Sequence, residues 1–195
     1  MKNEPEVERH PFEPFLPDGA VVLFLGSFPP QPKRWCMPFY YPNWMNDFWR
    51  VCGLVFFGDR DHFTAAGEKR FDEVRIRAFC SEKGLALFDT ATAVRRLQDN
   101  ASDKFLEVVE PTDITALLDR IPACVAVVTT GQKATDVLTE RYGCPAPAVG
   151  ESVDVHIGKR DLRFFRMPST SRAYPLSLEK KADAYRRLFR ELNLL

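Results

Sequence analysis

Two stretches of the chain are apolar without interruption, AVVLFL at 20–25 and ACVAVV at 123–128, and neither alternates with polar positions. Such runs suit strands of a parallel sheet that is covered on both faces. GLALF at 84–88 and LRFFRM at 162–167 are further strand candidates, and the third strand is read over 123–129. SVDVHI at 152–157 does alternate, and GKRD joins it to LRFFRM, so the pair reads as a hairpin that adds an edge strand. Between the strands the period changes. Ile114, Leu117, Leu118 and Ile121 form one helical stripe, Ala134, Val137, Leu138 and Tyr142 another, and Leu178, Ala182, Tyr185, Leu188, Phe189 and Leu192 a third. Thr112 is the expected N-cap of the first of these helices and Ser177 of the last, and Gly131 should open the second. The pattern predicts an α/β fold, a three-layer α/β/α sandwich around a mainly parallel four-stranded sheet with a possible extra edge strand. Ligands of such sheets gather at the carboxyl ends of the strands.

Composition limits the alternatives. With 195 residues, 45% of them apolar and 28% charged, the chain can fill one ordinary core and is not a disordered polymer. Residues 1–18 read as an extended N-terminal arm, and 19–195 as a single domain. The apolar runs fall far short of the ~18 residues of a membrane span, and MKNEPEVERHPFEPF has no apolar signal core, so a cytoplasmic location and no membrane partner are expected. Five cysteines, at 36, 52, 80, 124 and 144, include no CxxC pair, which argues for reduced, packed thiols. His10, His62 and His156 lack metal-ligand spacing with one another and with the cysteines, so no metal is expected and the histidines read as surface or satisfied side chains. The formal charge is zero but uneven: residues 156–195 hold ten Lys or Arg against four Asp or Glu. That permits a nucleic-acid face on a neutral protein.

The stretch after the first strand, GSFPPQPKRWCMPFYYPNWMNDFWR, contains all three tryptophans. Seven of the fifteen residues from Trp35 to Trp49 are aromatic, which makes this loop, at the mouth of a parallel strand, a candidate pocket for a flat ring. Phe48 and Trp49 read as the packed start of a helix, whereas Tyr40, Tyr41, Asn43 and Asn46 lie on the loop proper. Asp89 and Thr90 follow the second strand, where strand ends meet ligands.

GSFPP, FYYPNWMNDFW, LALFDTA at 85–91, NASDKFLEVVEPTDI at 100–114, VVTTGQKA at 127–134 and MPSTSRA at 167–173 stand in an order that resembles the uracil-DNA glycosylase superfamily. The resemblance covers roughly residues 20–192 and is nearest to the hypoxanthine-DNA glycosylase and mismatch-specific uracil glycosylase branches. It implies that Gly26, Ser27 and Phe28 line the base pocket, with Ser27 near the attacking water. Tyr41 would stack on an extruded base and Asn46 would act in the site. Ser169, Thr170, Ser171 and Arg172 would touch the DNA strand on a loop shaped by Pro168.

Elementary chemistry asks for the same parts. An enzyme that acts on a base inside a duplex must swing the nucleotide out, so it needs a stacking slot, hydrogen bonds to the base edge and support for the distorted strand. The resemblance implies a monofunctional glycosylase that hydrolyses the N-glycosidic bond of a deaminated base, uracil or hypoxanthine, as a monomer acting on DNA without cofactor or metal. Two departures stand out: GSFPP carries no carboxylate, and the second motif begins with Met167 rather than histidine. They keep open a non-catalytic nucleic-acid or nucleotide binder of the same fold. The QPKRWCMPF stretch before Tyr40 is also longer than the family pattern.

Overall fold

The computed structural model describes residues 5–98 and 103–195. Five strands form the central sheet: β2 (Val22–Gly26), β3 (Leu85–Asp89), β6 (Ala126–Thr130), β7 (Ser152–Ile157) and β8 (Arg160–Met167), in the order β3-β2-β6-β8-β7. The first four in that order run parallel, and β7 closes the edge antiparallel to β8. Every residue of β2, β3 and β6 is buried, which is why their sequences do not alternate. Helices α1 (Phe48–Phe57), α2 (Glu73–Lys83), α3 (Ile114–Arg120), α4 (Gln132–Tyr142) and α5 (Leu178–Glu191) flank the sheet. The expected α/β architecture is therefore observed, with the hairpin strand at the predicted edge.

Three local features differ from expectation. A second, antiparallel sheet of β1 (Val7–Arg9), β4 (Ala91–Arg96) and β5 (Leu106–Pro111) stands beside the first. Part of the arm over residues 1–18 is thus built into the fold: β1 pairs with β4, and Phe15 bridges to Leu87. Asp113, not Thr112, caps α3, its carboxylate accepting from the Ala116 N–H at 3.1 Å. Thr112 instead donates its hydroxyl to the Asp89 carbonyl at 2.6 Å, tying the end of β3 in place. Helix α2 has little amphipathic pattern, with only Ile76, Phe79 and Cys80 buried, so hydrophobic periodicity does not reveal it. Ser177 caps α5 and Gly131 opens α4 as expected.

Strand order places the site. The chain leaves β2 toward β3 on one side and leaves β6 toward β8 on the other, so a crevice opens between β2 and β6 at their carboxyl ends. The segments that follow Gly26 and Thr130 lie at that crevice.

Candidate active site

A cavity of about 1270 Å³ occupies the crevice. Such a volume exceeds the ~300–1,000 Å³ of an ordinary small-molecule pocket. Gly26, Ser27, Phe28, Tyr41, Asn43, Asn46, Asp89, Ser169, Thr170, Ser171 and Arg172 all line it, so residues from four separate segments converge. Thr90 and Pro168 are not among its lining residues. Thr90 is buried, its N–H bonded to the Gly26 carbonyl at 2.8 Å, and its hydroxyl has no hydrogen-bond partner among the described residues. The Pro168 carbonyl accepts the buried Tyr185 hydroxyl at 3.1 Å, so it anchors the loop from inside.

The aromatic loop is held rigidly. Tyr41 lies parallel to Phe48, ring centroids 3.9 Å apart and planes 10° off, and its hydroxyl shares a hydrogen bond with Thr130 Oγ1 at 3.0 Å. One face of its ring is therefore already covered, and burial pushes its phenol well above the ordinary range. Its φ of +51° is rare for a bulky residue; such strain collects where the surroundings over-determine a functional geometry. Arg50 staples the loop from below, donating to the Trp44 and Asn46 carbonyls at 2.8 and 3.0 Å while its guanidinium sits 4.3 Å over the Trp44 ring. Asn46 Oδ1 accepts from the Phe48 N–H at 2.9 Å, which leaves the carboxamide nitrogen as the group that can serve a ligand. Asn43 Oδ1 accepts from the Met45 N–H at 2.9 Å. The long QPKRWCMPF stretch closes on itself: the Trp35 indole donates to the Pro30 carbonyl at 2.6 Å, and Trp35 bridges to Asn43.

The loop after β8 is bound to the aromatic loop around one carboxylate. Asn46 bridges to Ser171, and the Asp47 N–H donates to the Thr170 carbonyl at 2.9 Å. Asp47 accepts from Arg172 Nε and from Lys181 Nζ, each at 3.1 Å, and Lys181 also donates to the Ser171 carbonyl at 2.9 Å. Two cations on one carboxylate leave a net positive charge beside the groove. Lys181 is 1% exposed, whereas the Arg172 side chain is 37% exposed, so the lysine is structural and the arginine can still meet solvent or a ligand.

Two carboxyl groups that the first motif lacks reach the cavity from elsewhere. Asp89 ends β3, and one of its oxygens takes His10 Nε2 at 2.8 Å. The other lies over Gly26, where an added Cβ would approach it to 2.4 Å. Position 26 is therefore open only to glycine unless Asp89 moves. Asp103 also lines the cavity and interacts with the Ser27 hydroxyl. Burial pushes its carboxyl above the ordinary range, the Ser27 hydroxyl pulls it back, and the neighbouring Asp89 charge raises it again. The side chain is nonetheless exposed to solvent: protein crowds it from the walls of an open cleft that water enters, so the upward push is tempered by hydration. Arg96 ties strands of the second sheet together and fastens them to the loop after β2, with bidentate bonds to Glu8 at 3.0 and 3.1 Å and a further bond to the Pro29 carbonyl at 3.2 Å.

Sequence reasoning missed Asp103, Arg96, Thr130 and the Asp47–Lys181 pair, and read His10 as a satisfied or surface histidine. Asp103 does lie in the NASDKF run that carried part of the resemblance; residues 100–102 of that run fall outside the described residues. Among the described residues no three His, Cys, Asp or Glu side chains gather as a metal site requires, no helix is long and apolar enough to cross a membrane, and the five cysteines are free.

No protein-family model matches the chain, and no curated protein does. Among solved structures it is similar to a candidate uracil DNA glycosylase from Methanosarcina acetivorans, determined by solution NMR, with 21% identity and a TM-score of 0.63 over 96% of this chain and 99% of that one. Alignment over nearly the whole of both chains establishes a shared α/β fold.

Proposed function

We propose that this protein is a monofunctional DNA glycosylase that hydrolyses the N-glycosidic bond of a deaminated base, uracil or hypoxanthine. The observation that carries the reading is the convergence of Ser27, Tyr41, Asn46 and Asp89 with the Ser169–Arg172 loop on one open cavity at the strand ends. A base swung out of the duplex enters between Phe28 and Tyr41, with the Asn46 carboxamide and Asp89 at its edge. Ser27 and Asp103 hold a water beneath the sugar. As the C1′–N bond breaks, its electron pair leaves with the base, the water oxygen bonds to C1′, and Asp103 takes the water's proton. A carboxyl whose pKa is raised is the stronger base for that step. Arg172, the exposed cation of the pair that holds Asp47, faces the phosphates of the distorted strand.

Duplexes carrying G·U, A·U or T·hypoxanthine pairs, and single-stranded uracil DNA, followed by alkali cleavage, test the proposal. Abasic product is expected from at least one. Its absence from all of them at enzyme excess overturns the reading, and salt-dependent binding without base release would instead place the chain with the non-catalytic binders.

A further inference from the structure

His10 arrives from the N-terminal segment, 79 residues from its partner, and is sealed behind the cavity. Its N–H bonds to the Thr92 carbonyl at 2.8 Å, and its ring packs against Phe28 and Phe88, with centroids 5.3 and 4.6 Å away. The side chain is 4% exposed. Both ring nitrogens are engaged: Nε2 lies 2.8 Å from Asp89 Oδ2, while Nδ1 lies 3.1 Å from the Phe12 nitrogen and 2.9 Å from the Phe12 carbonyl oxygen. In the neutral ring the Phe12 N–H donates to Nδ1; in the imidazolium, Nδ1–H donates to the carbonyl. Facing an ionised Asp89, which has no hydrogen to give, Nε2 carries the hydrogen in both states and donates it to the carboxylate. One Asp89 oxygen is thereby occupied and the carboxylate cannot rotate freely. Oδ1 remains over Gly26, on the cavity wall.

We propose that His10 is a positioning residue that holds Asp89 as a fixed, acceptor-only reader of the base, so that the cavity selects a base presenting a ring N–H. The proposal rests on the glycosylase reading above and names the feature by which its substrates are told from their parents. An ionised carboxylate has no donor. It therefore accepts from uracil N3–H or hypoxanthine N1–H and repels the lone pair that cytosine or adenine carries on the same ring nitrogen. Deamination converts that lone pair to N–H in both cases, so one carboxylate oxygen suffices for a pyrimidine and a purine.

The test compares duplexes containing uracil, N3-methyluracil or no damage, by equilibrium binding and by single-turnover base release. Wild-type protein is expected to bind the uracil duplex more tightly than the N3-methyl duplex. His10→Phe keeps the ring volume and loses the donor; it should erase that preference and slow uracil release by about ten- to hundredfold, the range of one charge-assisted hydrogen bond. His10→Gln, which retains a donor, should restore part of both. In an Asp89→Asn background, His10→Phe should cost little more, because its effect passes through Asp89. Equal losses in both backgrounds, or wild-type binding indifferent to N3-methylation, would overturn the assignment. The binding arm decides this even if no duplex loses its base, so failure of the glycosylase reading and failure of the His10 assignment stay separate.

Discussion

Replacing Lys181 by methionine isolates the device that joins the two loops of the site. Methionine keeps most of the stem and removes an ammonium that is 1% exposed and donates to Asp47 at 3.1 Å and to the Ser171 carbonyl at 2.9 Å. Breaking a buried ion pair from one side costs about 3–5 kcal/mol when the remaining charge is stranded. Here Arg172 still faces Asp47 at 3.1 Å, and the lysine no longer has to be desolvated, so the expected loss is about 2–3 kcal/mol, below the stranded-charge range. In a domain of this size that lowers the melting temperature by about 4–12 °C. Arg172→Ala alone should cost no more than about 1 kcal/mol, since its half of the pair is partly solvated. The double variant strands the Asp47 carboxylate and should lose more than the two single losses added. Thermal unfolding of the wild type and the three variants measures all of these. A change below about 2 °C for Lys181→Met, or strict additivity in the double variant, would refute the argument that Asp47 is a shared buried anchor.

Three further outcomes follow from the cavity. Gly26→Ala places a methyl where the Asp89 oxygen would stand 2.4 Å away; single-turnover base release should fall about a hundredfold, the cost of a displacement near 1 Å at a reacting centre, with little change in binding to undamaged DNA. The rate of release should fall on the acid side as Asp103 takes up a proton, at a pH above the ordinary carboxylate range because burial raises that group. Asp103→Asn should flatten this limb and slow release by about 10²–10⁴-fold; an unchanged acid limb would remove Asp103 from the mechanism. Arg172→Ala should reduce the slope of log affinity against log salt by about 1, the loss of one phosphate contact, equally for damaged and undamaged duplexes.

The central sheet was legible because burial on both faces leaves a mark on local sequence: β2, β3 and β6 are continuous apolar runs, and β7 alternates because one of its faces is less covered. The second sheet leaves no such mark. Its strands VER, ATAVRR and LEVVEP mix charge with apolar residues, and ion pairs such as Arg96–Glu8, between β4 and β1, help hold it together. Periodicity does not encode pairing of that kind, so the N-terminal segment looked like an arm. The site divides along the same line. That Gly26, Ser27 and the Ser169–Arg172 loop meet at one cavity was readable because they lie at or just after strand ends, and that Tyr41 and Asn46 join them because they stand in a loop dense with aromatic residues. His10 acquires meaning only through Asp89, Lys181 through Asp47, and Asp103 through Ser27, across separations that no window of sequence spans. What the sequence withheld was therefore the second source of charge: the first motif lacks a carboxylate, Asp89 was legible at the end of β3, and the fold adds Asp103 to the same cavity from the segment before β5. A charged group's place along the chain therefore says little about whether it reaches the cavity, because Coulombic and hydrogen-bonding demands fix where a carboxylate stands in space and not where it falls in the sequence.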